Sequence, residues 1–224
     1  MARDRICSHL SGLLIVVMLA FAPAAFANIQ PILDLTGEGV AGVPLAPEVA
    51  GWEFQVDTPI TIGAVGIWDE KKRPLNIAHE VGLYTSSQSL LLDVFVNNNN
   101  STPVGSASPD GQWLFTSIAP MVLQPGVYVL AATWGDPIDN ADPFRFHANA
   151  VTSSVTYTGM CNKTDLDYLH LVFPDCFGAP LNDASFFGPD LEIVPEPTTL
   201  TLFGMGVLAV GRALRPTRGS HDSK

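Results

Sequence analysis

The 224-residue chain predicts an all-β body, an antiparallel and jelly-roll-like β-sandwich, set between an N-terminal signal peptide and a C-terminal transmembrane helix. Three features carry that expectation. Short runs alternate apolar and polar residues with a period of two, clusters of turn formers separate them about every ten residues, and no interior stretch has the spacing of an amphipathic helix. Apolar residues make up 47% of the chain, but much of that content lies in two terminal blocks. The balance of 22 acids against 11 bases, a net charge of −11, excludes a simple nucleic-acid binder, because phosphate contact requires a basic surface.

Residues 1–27 read as a secretory signal. Arg3 and Arg5 precede an apolar run from Leu10 to Phe21, and Ala25-Phe26-Ala27 offers small residues where a signal peptidase reads them, so the mature chain is expected to begin at Asn28. Pro23 speaks against a continuous buried helix there.

Residues 28–193 hold enough chain for one well-buried domain. Strand patterns run over Trp52–Val56, Ile60–Trp68, His79–Tyr84, Leu90–Val96, Trp113–Ile118, Gly126–Trp134, Val151–Tyr157, Tyr168–Phe173 and Asp190–Val194. Turn signals lie between them at Asp57-Thr58-Pro59, Asp69–Pro74, Asn97–Gly105, Asp110-Gly111, Gln124-Pro125-Gly126 and Gly135-Asp136-Pro137. The series suggests an antiparallel sandwich, with a closed barrel as the alternative. Cys7 leaves with the signal, so Cys161 and Cys176 are the one intramolecular pair open to oxidation outside the cytosol.

At the other end, Pro195-Glu196-Pro197 sits in a linker, residues 194–199, that its prolines keep extended and out of any helix. Residues 200–214 form an apolar helical stretch. From Thr198 to Leu214 a helix would reach roughly 25 Å, a little short of the bilayer's apolar thickness of about 30 Å, and snorkelling by Arg212 closes the gap. Arg212, Arg215 and Arg218 form the membrane stop, and residues 215–224 a basic cytoplasmic tail, leaving the body outside.

The order of these three parts resembles the PEP-CTERM protein-sorting signal of Gram-negative bacteria. The resemblance implies that an exosortase, a separate membrane transpeptidase, recognises Pro195, Glu196 and Pro197 and processes the chain at the inner membrane. It also implies an association with the cell envelope or an exopolysaccharide matrix. The arginines here are more spread than the family's tight cluster, and six residues follow the last of them. Within the body, Gly51-Trp52-Glu53-Phe54, Ile60–Asp69, His79–Tyr84 and Leu123–Leu130 resemble a domain of uncharacterised function that recurs in secreted bacterial proteins. That likeness implies a β-sandwich and no established activity.

The body carries little that points to chemistry. From Asn28 to Pro197 it holds 20 acids and 5 bases, a balance of −15, which favours solubility and divalent cations over anionic partners. Asp136, Asp139 and Asp142 supply hard oxygen donors in one loop, a weak calcium candidate that misses the EF-hand pattern; no other cofactor is expected. His79-Glu80 lacks the second histidine of a zinc-protease helix and stands in a strand pattern, so His79 reads as structural, and His147 and His170 are lone histidines. No nucleophile elbow or phosphate loop occurs. Asp69 with Glu70, or Asp165 with Asp167, supplies the two acids that a glycosidase needs, although turns collect such residues anyway. Trp52, Trp68, Trp113 and Trp134 would suit sugar stacking if exposed, but they stand in apolar runs that suggest core packing.

The sequence thus reads as an exported protein that is not an enzyme, anchored in the inner membrane before exosortase acts and then placed in the cell envelope or outside the cell. Its body has a structural or binding role. A carbohydrate-binding module is the alternative, and a secreted glycoside hydrolase the remoter one.

Overall fold

Alternating β-formers pair into sixteen strands, and no helix, among the residues that the computed structural model describes: 30–37, 39–43, 46–135, 142–146, 150–164, 170–181 and 186–194. In chain order they are β1 (Gln30–Pro31), β2 (Leu33–Leu35), β3 (Val40–Gly42), β4 (Glu48–Val56), β5 (Ile60–Glu70), β6 (His79–Thr85), β7 (Leu90–Val96) and β8 (Thr102–Gly105). There follow β9 (Gly111–Leu123), β10 (Gly126–Trp134), β11 (Phe144–Phe146), β12 (Ala150–Thr152), β13 (Thr156–Lys163), β14 (Asp175–Phe177), β15 (Phe186–Phe187) and β16 (Pro189–Ile193).

Two antiparallel sheets carry the fold, one in the order β1-β16-β5-β9-β8 and one in the order β14-β13-β4-β10-β6-β7. Numbering β1, β4, β5, β6, β7, β9, β10 and β16 as eight successive strands puts the first, eighth, third and sixth in one sheet and the second, seventh, fourth and fifth in the other. This is the strand order of a jelly roll, as the sequence leads one to expect, and both sheets keep open edges, so the barrel is not formed. To this frame are added β8 beside β9 and the β13-β14 pair beside β4. Two small sheets, β15-β11-β3 and β12-β2, complete the body.

The core lies where the two large sheets face each other. On β4, Ala50, Trp52, Phe54 and Val56 alternate inward, against Leu130 and Ala132 of β10 and Val81 and Leu83 of β6. Val65, Ile67 and Leu191 close this layer from the five-stranded sheet. Trp52 ties the layers directly by donating Nε1–H to the carbonyl of Pro189 at 2.9 Å. All four tryptophans are fully buried, which is the packing role that their apolar neighbours suggest.

The second face of the five-stranded sheet is also covered. After β1 the chain leaves the edge and crosses that face: the Leu33 amide donates to Asp190 of β16, and Asp34 accepts from Trp113 Nε1 of β9. Ile32, Leu33 and Leu35 are fully buried by this crossing.

Two expected strands are corrected. Val151–Tyr157 is broken at Ser153-Ser154, where Ser154 takes a positive φ of 66°, and its halves join different partners: β12 pairs with β2, and β13 with β4. Of Tyr168–Phe173, residues 170–173 form no ladder; Tyr168 and Leu169 lie outside the described residues. Leu171 and Phe173 instead pack on the outer face of the six-stranded sheet, against Tyr84, Val129 and Cys161. The space is there because Gly82 presents no side chain: a Cβ on it would lie 2.5 Å from Leu171. The strap continues into β14, where Cys176 stands opposite Cys161 and the two form a disulfide with Cα atoms 4.0 Å apart.

Gly51 sets how closely β4 and β10 approach. A Cβ there would overlap the Leu130 carbonyl oxygen and lie 2.7 Å from Ala131 Cα, both main-chain atoms that cannot rotate away. Gly51→Ala is therefore expected to cost at least about 2 kcal/mol. Gly105→Ala, with no atom within 4 Å of its Cβ, is expected to change stability by less than about 0.5 kcal/mol. Urea unfolding midpoints of the two variants check this.

Candidate functional site

The chemistry-bearing side chains gather in three places: one end of the sandwich interior, the outer face of the six-stranded sheet, and the corner where β16 leaves the body.

At the sandwich end, strand register brings His79, Trp134 and Glu48 side by side, because Trp134 stands opposite Glu48 and the β6–β10 ladder continues toward His79. His79 is fully buried, with Nδ1 2.7 Å from the Thr133 carbonyl and Nε2 3.1 Å from Asp142 Oδ2. Asp142 also accepts the amides of Asn76 and Ile77, so this carboxylate fastens the loop before β6. His79 is thus a structural residue, and Asp142 is engaged by protein groups. Asp136 and Asp139 lie outside the described residues. Among the described residues no group of three or more His, Cys, Asp or Glu is arranged to hold a metal ion.

Asp69 and Glu70, candidates for paired acids, point to opposite faces of β5. Asp69 accepts from Gln112 Nε2 at 2.7 Å. Glu70 takes both Nε and Nη2 of Arg145 at 2.6 Å, and Trp68 Nε1 at 2.9 Å. Arg145 reaches on to the Gly39 carbonyl and to Asp110. Each acid is held by its own partners, and the two do not converge. Asp165 and Asp167 lie outside the described residues.

On the outer face, Glu80 accepts the Leu171 amide at 3.1 Å. Burial raises its pKa, and the neighbouring Asp93 raises it further. Tyr84 is pushed up to about 12 by burial and by the same two acids. His170 belongs to this strap and not to a strand. His147 lies outside the described residues.

Sequence reasoning missed the partnerships of His79 with Asp142 and of Glu70 with Arg145. The partners stand 63 and 75 residues apart, and no local motif marks them. It also missed Glu48 and Asp190 as buried acids. Asp190 is fully buried, and burial holds its pKa well above the usual carboxylate range.

Burial likewise lifts the Glu48 pKa from 4.5 to about 7, and Oε1 has no hydrogen-bond partner among the described residues. The folded state therefore holds more protons than the unfolded state between about pH 4.5 and 7, and stability falls as pH rises through that window. Glu48→Gln keeps the shape without the charge. Its stability is expected to exceed that of the parent by about 1–3 kcal/mol at pH 8, with the difference shrinking toward pH 4. Urea titrations across that range measure it; the slope left in the variant belongs to the other raised acids, Asp190, Asp69, Glu80 and Glu192.

The third place is the corner after β16. Val194 is the last described residue; its amide bonds to the Thr61 carbonyl at 2.9 Å, and a Cβ on Gly63 would overlap its side chain. Pro195, Glu196 and Pro197 follow directly and, with Arg212, Arg215 and Arg218, lie outside the described residues, as do both terminal segments read as signal peptide and transmembrane helix. Among the described residues no helix is long and apolar enough to cross a membrane.

No curated protein and no solved structure matches the chain. The family model of the PEP-CTERM protein-sorting motif matches residues 194–216, a stretch that begins at the residue after β16. The chain therefore carries a PEP-CTERM sorting motif at its C-terminal end, the mark of an exported protein that exosortase sorts.

Proposed function

We propose that this chain is a cell-surface or extracellular-matrix protein whose jelly-roll body serves a structural or binding role without catalysis. It enters the export pathway by residues 1–27, is held at the inner membrane by residues 200–214, and is cut by exosortase at the segment around Pro195-Glu196-Pro197. The sorting motif at 194–216 is the observation that carries this reading. An exopolysaccharide matrix is the setting in which we place the processed body.

The absence of catalysis rests on how the acids are used. Asp69 is tied to Gln112 and Glu70 to Arg145, so the most obvious carboxylate pair is occupied and split across two faces. The glycan-binding alternative loses its sequence-level candidates, since Trp52, Trp68, Trp113 and Trp134 are all fully buried.

Glu196→Ala is expected to leave the body folded and to trap an unprocessed form at the inner membrane. Cell fractionation with intact-mass analysis of both chain ends reads this directly. A Glu196→Ala protein that matures at the parent's rate would show that the tripeptide is not read, and a mature parent that keeps residues 198–224 would refute processing altogether.

A further inference from the structure

All four tryptophans of the body are fully buried, and a buried indole N–H ordinarily finds an acceptor. Three of them do. Trp52 donates to the Pro189 carbonyl and Trp68 to Glu70 Oε2, each at 2.9 Å, and Trp113 donates to Asp34 Oδ1 at 3.3 Å. Trp134 Nε1 has no hydrogen-bond partner among the described residues, although its ring is as fully enclosed as theirs. The ring is held in place on several sides. It lies against the main chain at Gly188, where a Cβ would overlap Cζ2, and it packs on His79 at 4.6 Å and on Phe144 at 5.5 Å between ring centroids.

Two other buried side-chain atoms lack a partner among the described residues, Glu48 Oε1 and Asp190 Oδ2. Asp190 lies under the crossing segment on the second face of the five-stranded sheet, where Oδ1 takes the Leu33 amide. Glu48 is the neighbour of Trp134. The two stand directly opposite in the β4–β10 ladder. The alternation that turns Ala50 and Trp52 inward from β4, and Leu130 and Ala132 inward from β10, turns Glu48 and Trp134 inward as well. Directly opposed residues hold their Cβ atoms about 5 Å apart, so a lone donor and a lone acceptor project from adjacent points into one end of the interior.

These two atoms do not bond to each other. A group that satisfies both must accept from an indole N–H and donate to a carboxylate, each over about 2.9 Å. A metal ion or an ammonium group cannot accept, and a fully ionised anion cannot donate. A hydroxyl oxygen does both. Water is the hydroxyl that suits a place where both protein atoms are closed off from the surface.

We propose that Glu48 and Trp134 hold one buried water molecule between them, which accepts the indole N–H and donates to the carboxylate. β4 and β10 are then joined at this end through a bound molecule, and the acid at the start of β4 gains a partner that no described protein group supplies. The site belongs to the body and stands independently of the sorting motif.

The indole N–H resonances of the ¹⁵N-labelled full-length protein test this, read at pH 8, above the Glu48 pKa of about 7, so that the carboxylate carries no proton to relay exchange. Sequential assignment identifies the Trp134 signal, with Trp134→Phe as a check. Its proton is expected to show a direct Overhauser contact with a bound water, whereas the protons of Trp52, Trp68 and Trp113, already bonded to protein acceptors, show none. Glu48→Gln, whose amide oxygen still accepts, should keep the contact, and Glu48→Leu should lose it. A Trp134 proton without water contact in the parent would overturn the proposal whether or not the variants fold, and so would a contact that survives Glu48→Leu unchanged. Added glycerol or glucose separates the sources of a hydroxyl: a contact that stays supports water, and one replaced saturably by the added molecule would assign the place to an alcohol and overturn the water.

Discussion

The ladder between β4 and β10 is the constraint on which the rest of the body depends. It runs in one unbroken register from Glu48 opposite Trp134 to Val56 opposite Gly126. A slip of one residue would turn Trp52 and Phe54 from the interior to the outer face. What prevents the slip is the approach of two main chains at Gly51, together with the fit of rings on the inner side, where Trp52 meets Phe54 at 5.0 Å and Phe54 meets Tyr128 at 5.8 Å. The same register aims Trp52 Nε1 at the Pro189 carbonyl, so the position of β16 in the facing sheet follows from pairing in this one. On the outer side it leaves the shallow bed in which the disulfide-closed strap lies.

Charge plays a different part. Arg145 and Glu70 are both buried, and their mutual bonds replace the water each has lost. Such a pair adds little net stability against an apolar substitute, yet it is costly to break, so it acts as a fastening of defined geometry. Arg145 fastens β11 to β5 and to the carbonyl of Gly39, and Asp142 fastens its own segment to His79 and to the amides of Asn76 and Ile77. Long connections are thereby tied to one end of a sandwich whose strands alone would not hold them.

The frame of the fold was legible because period-two patterning survives wherever one face is buried. β10 has the bounds its pattern indicates, Gly126–Trp134, and β7 likewise spans Leu90–Val96. β4 starts four residues earlier than Trp52, because Glu48-Val49-Ala50-Gly51 alternates in direction without alternating in polarity. β1, β2, β3 and β11 escaped notice since two or three residues hold no period, and their partners are remote. The strap at 170–173 shows the opposite failure: its apolar alternation is real, but it matches an outer face with glycine-made room and not a ladder. Of the candidate sites, the sorting segment was legible because it is written locally, in adjacent residues. The buried acids were not, since burial of Glu48 and Asp190 is decided by strands that meet only after folding.

The corner where β16 ends lies beside Ile62, near the start of β5, whereas the turn that follows Glu70 lies at the strand's other end. That turn holds Lys71, Lys72 and Arg73, all exposed, and they are three of the five bases between Asn28 and Pro197. Acids stand directly beside them: Asp69 and Glu70 precede the turn at the end of β5, and the Lys71 amide bonds the carbonyl of Asp110. The body's few bases are thus spent locally among carboxylates, and the excess of negative charge acts on the body as a whole, so that like bodies repel one another in solution.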